Sequence, residues 1–421
     1  MKSDTIYIYN IKSLVGIQLE GKINLKGAEM AVLNTIEDAF LLIKDGLIAD
    51  FGPMNSNNYS DLSNQSDVIS INAKGKMVMP CYCDSHTHLV YAASRESEFV
   101  DRINGLTYEE IALRGGGILN SSKHLASVSE EDLYKSASLR LKEIALSGTG
   151  AVEIKSGYGL SVETELKMLR VIKRLKQNSK LTIKATFLGA HAVPTEYKQD
   201  KNGYTKLITE EMMPKIMEEQ LADYCDVFCE NNYFTKAETI HILECGKKNG
   251  MIPKVHAEQL SHTGGIEAGV ECGAISVDHL EYANETDLEL LKYSKTAATI
   301  LPGAAYFLGL PSPPARKMID AGAIVAIASD YNPGSSPSGN MNTMMSIACI
   351  QYRLNPEEVF NAATLNGAYA MGVEKDFGSI TKGKKANVFI TKEIPSYAYL
   401  PYSFGSNLVE TVILNGEIIA Y

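Results

Sequence analysis

From about Met77 to Ser329 the chain repeats one theme. A short apolar run, in most cases ending in a polar residue, alternates with longer stretches that mostly carry helical patterning. The first run starts near Met77 and ends in His86-x-His88. The others are Ala151–Lys155, Thr182–Leu188, Asp226–Glu230, Lys254–His256, Ala274–Asp278, Ala297–Leu301 and Ile324–Ser329. Such runs read as buried strands, while Glu131–Ser147 and Val162–Gln177 carry helical spacing. Thr107-x-x-Glu110 has the form of a capping box opening a shorter helix. Eight strands alternating with helices predict an α/β fold, a (β/α)8 TIM-like barrel over residues 77–371.

The two ends are written differently. Residues 1–76 hold strand-like runs at Thr5–Tyr9, Ala39–Ile43 and Leu47–Phe51, with Lys44-Asp45-Gly46 as a hairpin turn. Residues 372–421 hold Asn387–Thr391 and Leu408–Leu414, then Asn415-Gly416 turning into Glu417–Tyr421. Neither end has the apolar surface for a core of its own. Together they are expected to pair into one small β-sandwich domain, with the barrel inserted between its halves.

The chain has 421 residues, enough for a barrel and an accessory module, and a formal net charge of −10. That balance argues against a nucleic-acid or anionic-membrane partner, which would call for a basic face. It leaves room for an anionic small molecule, because one local arginine outweighs a diffuse charge. The seven cysteines are odd in number and sit mostly in predicted strands and helices, so they read as small buried residues in a reducing compartment. Met1–Thr5 has no basic segment followed by an apolar run, and no stretch approaches 18 uncharged apolar residues. A cytoplasmic location is expected.

In a barrel, residues at the C-terminal ends of strands converge on one mouth. Here these ends carry His86 and His88, His191, Glu230, His256 with Glu258 and Gln259, His279, and Asp330. A bare His-x-His pair would more often be two polar residues satisfied by neighbours. The added strand-end histidines and Asp330 shift that balance. Three imidazoles and a carboxylate suit a mononuclear metal site with room for water. A carboxylate touching metal and water can move a proton to a leaving nitrogen, and a further histidine can polarise a carbonyl. The set is suited to hydrolysing an amide or amidine carbon. His124 and His241 read as surface helix residues, and His262 lies just behind the fifth strand.

The strings around these residues resemble the imidazolonepropionases, a family of the amidohydrolase superfamily. They are Ser85-His86-Thr87-His88-Leu89-Val90, Ser94-Arg95-Glu96-Ser97-Glu98-Phe99, Gly115-Gly116-Gly117-Ile118, Glu153-Ile154-Lys155-Ser156-Gly157-Tyr158-Gly159-Leu160 and Ser329-Asp330-Tyr331-Asn332-Pro333-Gly334-Ser335. The resemblance implies that His86, His88, His256 and Asp330 hold one zinc or iron ion per chain. It implies water-driven opening of 4-imidazolone-5-propanoate to N-formimino-L-glutamate in histidine degradation. Arg95 would grip the propanoate; Tyr158, His191 and Gln259 would contact the ring; Asn332, Gly334 and Ser335 would hold the carboxylate end. His279 would assist at the carbonyl, with Asp330 as proton shuttle. Related enzymes imply a homodimer.

Blander readings stand beside these. Arg95 could be a surface arginine paired with Glu96 or Glu98, Tyr158 a packing residue, His191 a cap on a neighbouring element, and Asn332-Pro333-Gly334 an ordinary turn. Lys155 and Glu165 read as structural. Gln259 stands where some relatives have glutamate and cannot act as a base. Cys81-Tyr82-Cys83-Asp84-Ser85 is an uncommon lead into the first strand. Glu230 stands where two-metal members place a bridging ligand. The rival functions are another cyclic amidohydrolase or nucleobase deaminase on the same scaffold, and a barrel that only binds.

Overall fold

A computed structural model describes residues 4–56, 58–107, 110–111 and 114–419. Among the described residues, sixteen strands form two sheets. One sheet takes strands from both ends of the chain: β1 (Thr5–Val15), β2 (Thr35–Lys44), β3 (Leu47–Pro53), β4 (Val68–Asn72), β5 (Lys76–Pro80), β14 (Val388–Glu393), β15 (Val409–Leu414) and β16 (Glu417–Ile419). The other is the barrel wall: β6 (Tyr82–Thr87), β7 (Thr149–Lys155), β8 (Thr182–Ala190), β9 (Tyr224–Cys229), β10 (Ile252–Ala257), β11 (Ser276–His279), β12 (Ala297–Ile300) and β13 (Val325–Ile327).

The barrel strands pair in chain order and all run parallel. Beyond β13 the chain returns to β6, where the Asp330 N–H donates to the His86 carbonyl at 3.0 Å and the His88 N–H donates to the Tyr331 carbonyl at 3.0 Å. The helices Glu130–Leu146 and Val162–Asn178 begin at Ser129 and Ser161, each of which caps the N–H three residues on. Their apolar faces, Leu133, Ala137, Leu141 and Ile144, and Leu166, Leu169, Ile172 and Leu175, are buried in the main core.

The end sheet has a core of its own. Ile6, Ile8, Ile11 and Leu14 of β1 and Leu41 and Ile43 of β2 meet Val78 of β5, Val388 and Ile390 of β14, and Ile413 of β15. β1 serves both halves of this small β-sandwich. Thr5–Tyr9 pair with β4 and Ser13–Leu14 with β5, and between them Asn10 adopts φ 55°, where the register with β2 shifts. The two hairpin turns legible in the sequence lie against each other. A Cβ on Gly416 would fall 2.5 Å from the Gly46 Cα, so these turns fit only with glycine there.

The apolar run from Met77 is two strands, not one. Lys76–Pro80 belongs to the end sheet, and the barrel strand starts at Tyr82. The change of partner is sharp: the Cys81 N–H donates to Asn387 O and the Tyr82 N–H to Gly148 O, both at 3.0 Å. Pro80, with no N–H to give, ends the first ladder. Thr107 and Glu110 exchange the predicted capping bonds at 2.7 Å and 3.2 Å. Residues 108, 109, 112 and 113 of that expected helix, Ala420 and Tyr421 of the expected last strand, and Met1–Ser3 lie outside the described residues. Among the described residues, no helix is long and apolar enough to cross a membrane, and the seven cysteines are free thiols, five of them buried.

Candidate active site

Alternate residues of a barrel strand face its interior, and in this barrel many of those positions are charged. Glu153 and Lys155 of β7, Asp226 of β9, Lys254 of β10 and Asp278 of β11 are all buried beneath the mouth. The Lys155 ammonium donates to Glu153 Oε1 at 2.6 Å and to Asp226 Oδ2 at 2.7 Å, and lies 3.6 Å from Asp278 Oδ2. Lys254 pairs with the other Glu153 oxygen and donates to the Ser85 carbonyl at 2.9 Å. Buried charges persist only when paired in this way. Burial is the largest influence on Lys155 and works against its charge, but Asp226, Glu153 and Asp278 outweigh it and raise its pKa well above the usual lysine value.

This charged floor aims the histidines above it. His86 Nδ1 lies 2.7 Å from Asp278 Oδ2. A carboxylate only accepts, so the proton sits on Nδ1 and the Nε2 lone pair faces the mouth. That Nε2 is buried with no hydrogen-bond partner, 3.5 Å from Asp330 Oδ1. His256 Nδ1 lies 3.0 Å from Asp226 Oδ2, and its Nε2 faces His88 Nε2 at 3.3 Å. His88 Nε2 is 3.6 Å from Asp330 Oδ1. Burial, with Lys155 and neighbouring histidines adding to it, holds His86 well below the usual histidine pKa; burial, His191 and His256 do the same for His88. Both are neutral imidazoles with lone pairs to give.

Ligand atoms of His86, His88 and Asp330, and of His86, His256 and His279, fall within 4.8 Å of one another. The four residues singled out in the sequence therefore converge, with His279 as a fifth neighbour. Orphaned buried imidazole nitrogens, a His86 tautomer fixed by Asp278 and a mixed N/O donor set fit a zinc- or iron-type ion. His279 and Asp330 take left-handed backbone conformations, φ 88° and 52°, which turn both side chains inward at the ends of their strands. Behind His279, Glu281 is buried and lies 3.7 Å from Nδ1. Burial works to lower the His279 pKa, but Glu281 together with Asp330 and Asp278 outweighs it and raises it.

Above the cluster lies an open pocket with about 490 Å³ of empty space, its mouth included. Eleven of the twelve residues predicted for the site line it: His88, Arg95, Tyr158, His191, His256, Gln259, His279, Asp330, Asn332, Gly334 and Ser335. His86 sits beneath. His191 stacks on His88 with centroids 5.2 Å apart, and its Nδ1 donates to the Gly157 carbonyl at 3.0 Å. Burial, reinforced by His256, pushes its pKa down to about 3, so Nε2 is an acceptor. Tyr158 packs at 5.8 Å from the His88 ring and 5.6 Å from that of His191.

Asn332 uses both ends of its amide on its own loop. Nδ2 donates to Asp330 O and Ser335 Oγ at 2.6 Å each, and Oδ1 accepts from the Gly334 and Ser335 N–H groups at 2.7 and 2.8 Å. Ser335 Oγ in turn donates to Asp330 Oδ2 at 3.0 Å. Arg95 is buried rather than on the surface, and it does pair with Glu98.

Glu230 turns away from the ligand set. Its carboxylate accepts from the N–H groups of Asn231, Leu260 and Ser261 and from the Ser261 hydroxyl, bracing the loop after β10. Glu165 likewise accepts from the N–H groups of Gly157, Gly159 and Leu160. His262 is half-exposed and pairs with Asp287 at 3.0 Å, outside the cavity. The apolar wall made by Ile118, Phe228, Leu260 and Leu308 was missed in the sequence, because three of these sit in or beyond strand-end loops that carry no period. The charged floor had a signal: charged residues inside otherwise apolar strand runs, such as Lys254 two positions before His256.

A match to the amidohydrolase family covers residues 77–419. Imidazolonepropionase of Flavobacterium johnsoniae is 56% identical over 98% of this chain and 99% of its own length. That of Christiangramia forsetii is 52% identical over 99% and 100%, and that of a Geobacillus species 40% identical over 98% and 97%. The chain belongs to the imidazolonepropionase family of amidohydrolases. Solved structures of other enzymes share its fold. Escherichia coli guanine deaminase superposes with a TM-score of 0.73 over 98% of this chain and 99% of that one at 14% identity. A zinc-bound adenosine deaminase from Xanthomonas campestris gives 0.71 over 98% and 92% at 16%. Amidohydrolases are metal-dependent hydrolases, and the histidine–aspartate cluster offers ligand atoms that could hold such an ion.

Proposed function

We propose that this chain opens 4-imidazolone-5-propanoate with water, hydrolysing the ring amide C–N bond to N-formimino-L-glutamate in histidine degradation. The observation that carries the reading is one cavity with a histidine–aspartate ligand set at its floor and a buried arginine, Arg95, in its wall. His86, His88, His256 and Asp330 would hold one zinc or iron ion per chain. When bound, that ion supplies Lewis acidity and a water acidic enough to attack near neutral pH.

The chain's own residues do the rest. Arg95 receives the propanoate carboxylate, a pairing suited to a guanidinium fork. Tyr158, His191 and Gln259 hold the ring, with His191 accepting through its unprotonated Nε2. His279, kept protonatable by Glu281, donates to the carbonyl oxygen and stabilises it as it gains charge. Asp330 takes the proton of the attacking water and delivers it to the departing ring nitrogen. Its Oδ1 faces His86 and His88 while Ser335 steadies Oδ2. Gln259 takes no part in proton transfer. Asn332 keeps Gly334 and Ser335 in place for the carboxylate end of the substrate. The same reading takes the enzyme as a cytoplasmic homodimer.

The test is ring opening itself. The imidazolone is made enzymatically from urocanate, metal-loaded protein is added, and loss of its absorbance is followed with mass detection of formiminoglutamate. Product above uncatalysed decay, abolished by His86→Ala, is expected. No acceleration with metal confirmed in place would overturn the reading and favour a nucleobase deaminase.

A further inference from the structure

We propose that Glu98 is a positioning residue for Arg95, fixing which edge of the guanidinium the substrate carboxylate meets. The assignment rests on Arg95 as the tail-binding residue. Glu98 is buried in the first turn of the helix Glu96–Ile103, directly after Arg95. Its Oε2 accepts from Arg95 Nε at 2.8 Å and lies 2.6 Å from Nη2. One carboxylate oxygen thus occupies the Nε/Nη2 side of the fork.

The other oxygen is tied elsewhere. Glu98 Oε1 accepts from the Gly117 N–H at 3.1 Å and from Asn120 Nδ2 at 3.3 Å, at the start of the helix Gly117–Ser127. A carboxylate at a helix N-terminus is favourably placed. Glu98 is therefore anchored independently of Arg95 and cannot follow the arginine if it moves. The Gly115-Gly116-Gly117 string serves this approach. A Cβ on Gly116 would meet Ile111 Cγ2 at 2.6 Å and Glu98 Oε1 at 3.1 Å.

The face of the guanidinium is also set. A Cβ on Gly334 would collide with Arg95 Nη1 and Cζ, so the planar group lies directly over that glycine. Arg102 Nη2 donates to the Gly334 carbonyl at 3.1 Å and holds the loop there. With its side edge on Glu98 and one face on Gly334, the Arg95 guanidinium is held in one orientation in the wall of the cavity it lines. A carboxylate met by a fixed fork has one plane and one direction available, and a point charge in place of the fork would impose neither.

The test is a double-mutant cycle with two readouts: steady-state ring opening, and binding of imidazole-4-propanoate, an unreactive carboxylate probe, to the metal-loaded protein. Glu98→Ala should raise KM and the probe's Kd on the order of tenfold, the scale of coupling between contacting residues, with kcat within about threefold. Glu98→Gln, which keeps an acceptor for Nε, should recover most of the loss. In an Arg95→Ala background, Glu98→Ala should add less than about twofold. Equal effects with and without Arg95, or probe binding unchanged in Glu98→Ala, would overturn the assignment. Wild-type protein that binds the probe but opens no ring would instead overturn the substrate reading. Failure of wild type to bind the probe would overturn both.

Discussion

His86 and Asp278 stand back to back across two barrel strands, with Nδ1 and Oδ2 2.7 Å apart, and the carboxylate sets which imidazole nitrogen faces Asp330. Partners of this kind typically carry a 10- to 100-fold share of metal affinity. Asp278→Ala should therefore weaken zinc binding by roughly that factor, read by competition with a chromophoric chelator, although Asp278 lies outside the ligand set.

Lys155 is buried and neutralises the carboxylates that support both His86 and His256. Removing one partner of a buried pair strands the other charge and costs about 3–5 kcal/mol. Lys155→Met should lower unfolding stability by that order in urea titrations. Lys180→Met, which breaks an exposed pair with Glu417, should change it by about 1 kcal/mol or less.

Arg95→Ala should raise KM for the imidazolone by roughly 10- to 100-fold, the scale of a lost charged hydrogen bond, with metal content unchanged. Gly334→Ala should act in the same direction, because the new methyl occupies the space of the guanidinium. An unchanged KM in both variants would remove Arg95 from substrate binding.

Glu281 raises the pKa of His279 by lying against Nδ1. Glu281→Gln removes that anion, so the protonated imidazole is less favoured and its pKa falls. The limb of the kcat/KM profile that reports His279 should move to lower pH. At neutral pH kcat should drop on the order of tenfold or more, with KM and bound metal little altered.

Much of this arrangement was legible in the sequence, for identifiable reasons. His86, His88, His256, His279 and Asp330 each close an apolar run, and a barrel brings such ends together whatever the loops do. Glu153, Lys155, Asp226 and Asp278 sit within the same apolar runs, where an isolated charge inside a strand gives no hint of its partner. The choice between Glu96 and Glu98 for Arg95 was open because both follow it closely; burial decides it, since Glu96 is exposed and bonded to Ser94. The exchange of sheets at Cys81 was hidden because two consecutive strands without a turn read as one. Glu230 sat at a strand end like the five residues of the cluster, and only the path of the loop at Leu260–Ser261 shows where its oxygens go.

The wall of the barrel has a join where its last strand comes back to its first, held by the Asp330–His86 and Tyr331–His88 backbone bonds. Asp330 lies on one side of that join and both histidines on the other. A cation held among them would act as a buckle on a belt, fastening residues some 240 positions apart in the chain. Stripping the metal should loosen the ring at that point before any other, seen as faster amide exchange at His88 and Asp330 than at equally buried strand positions on the far side.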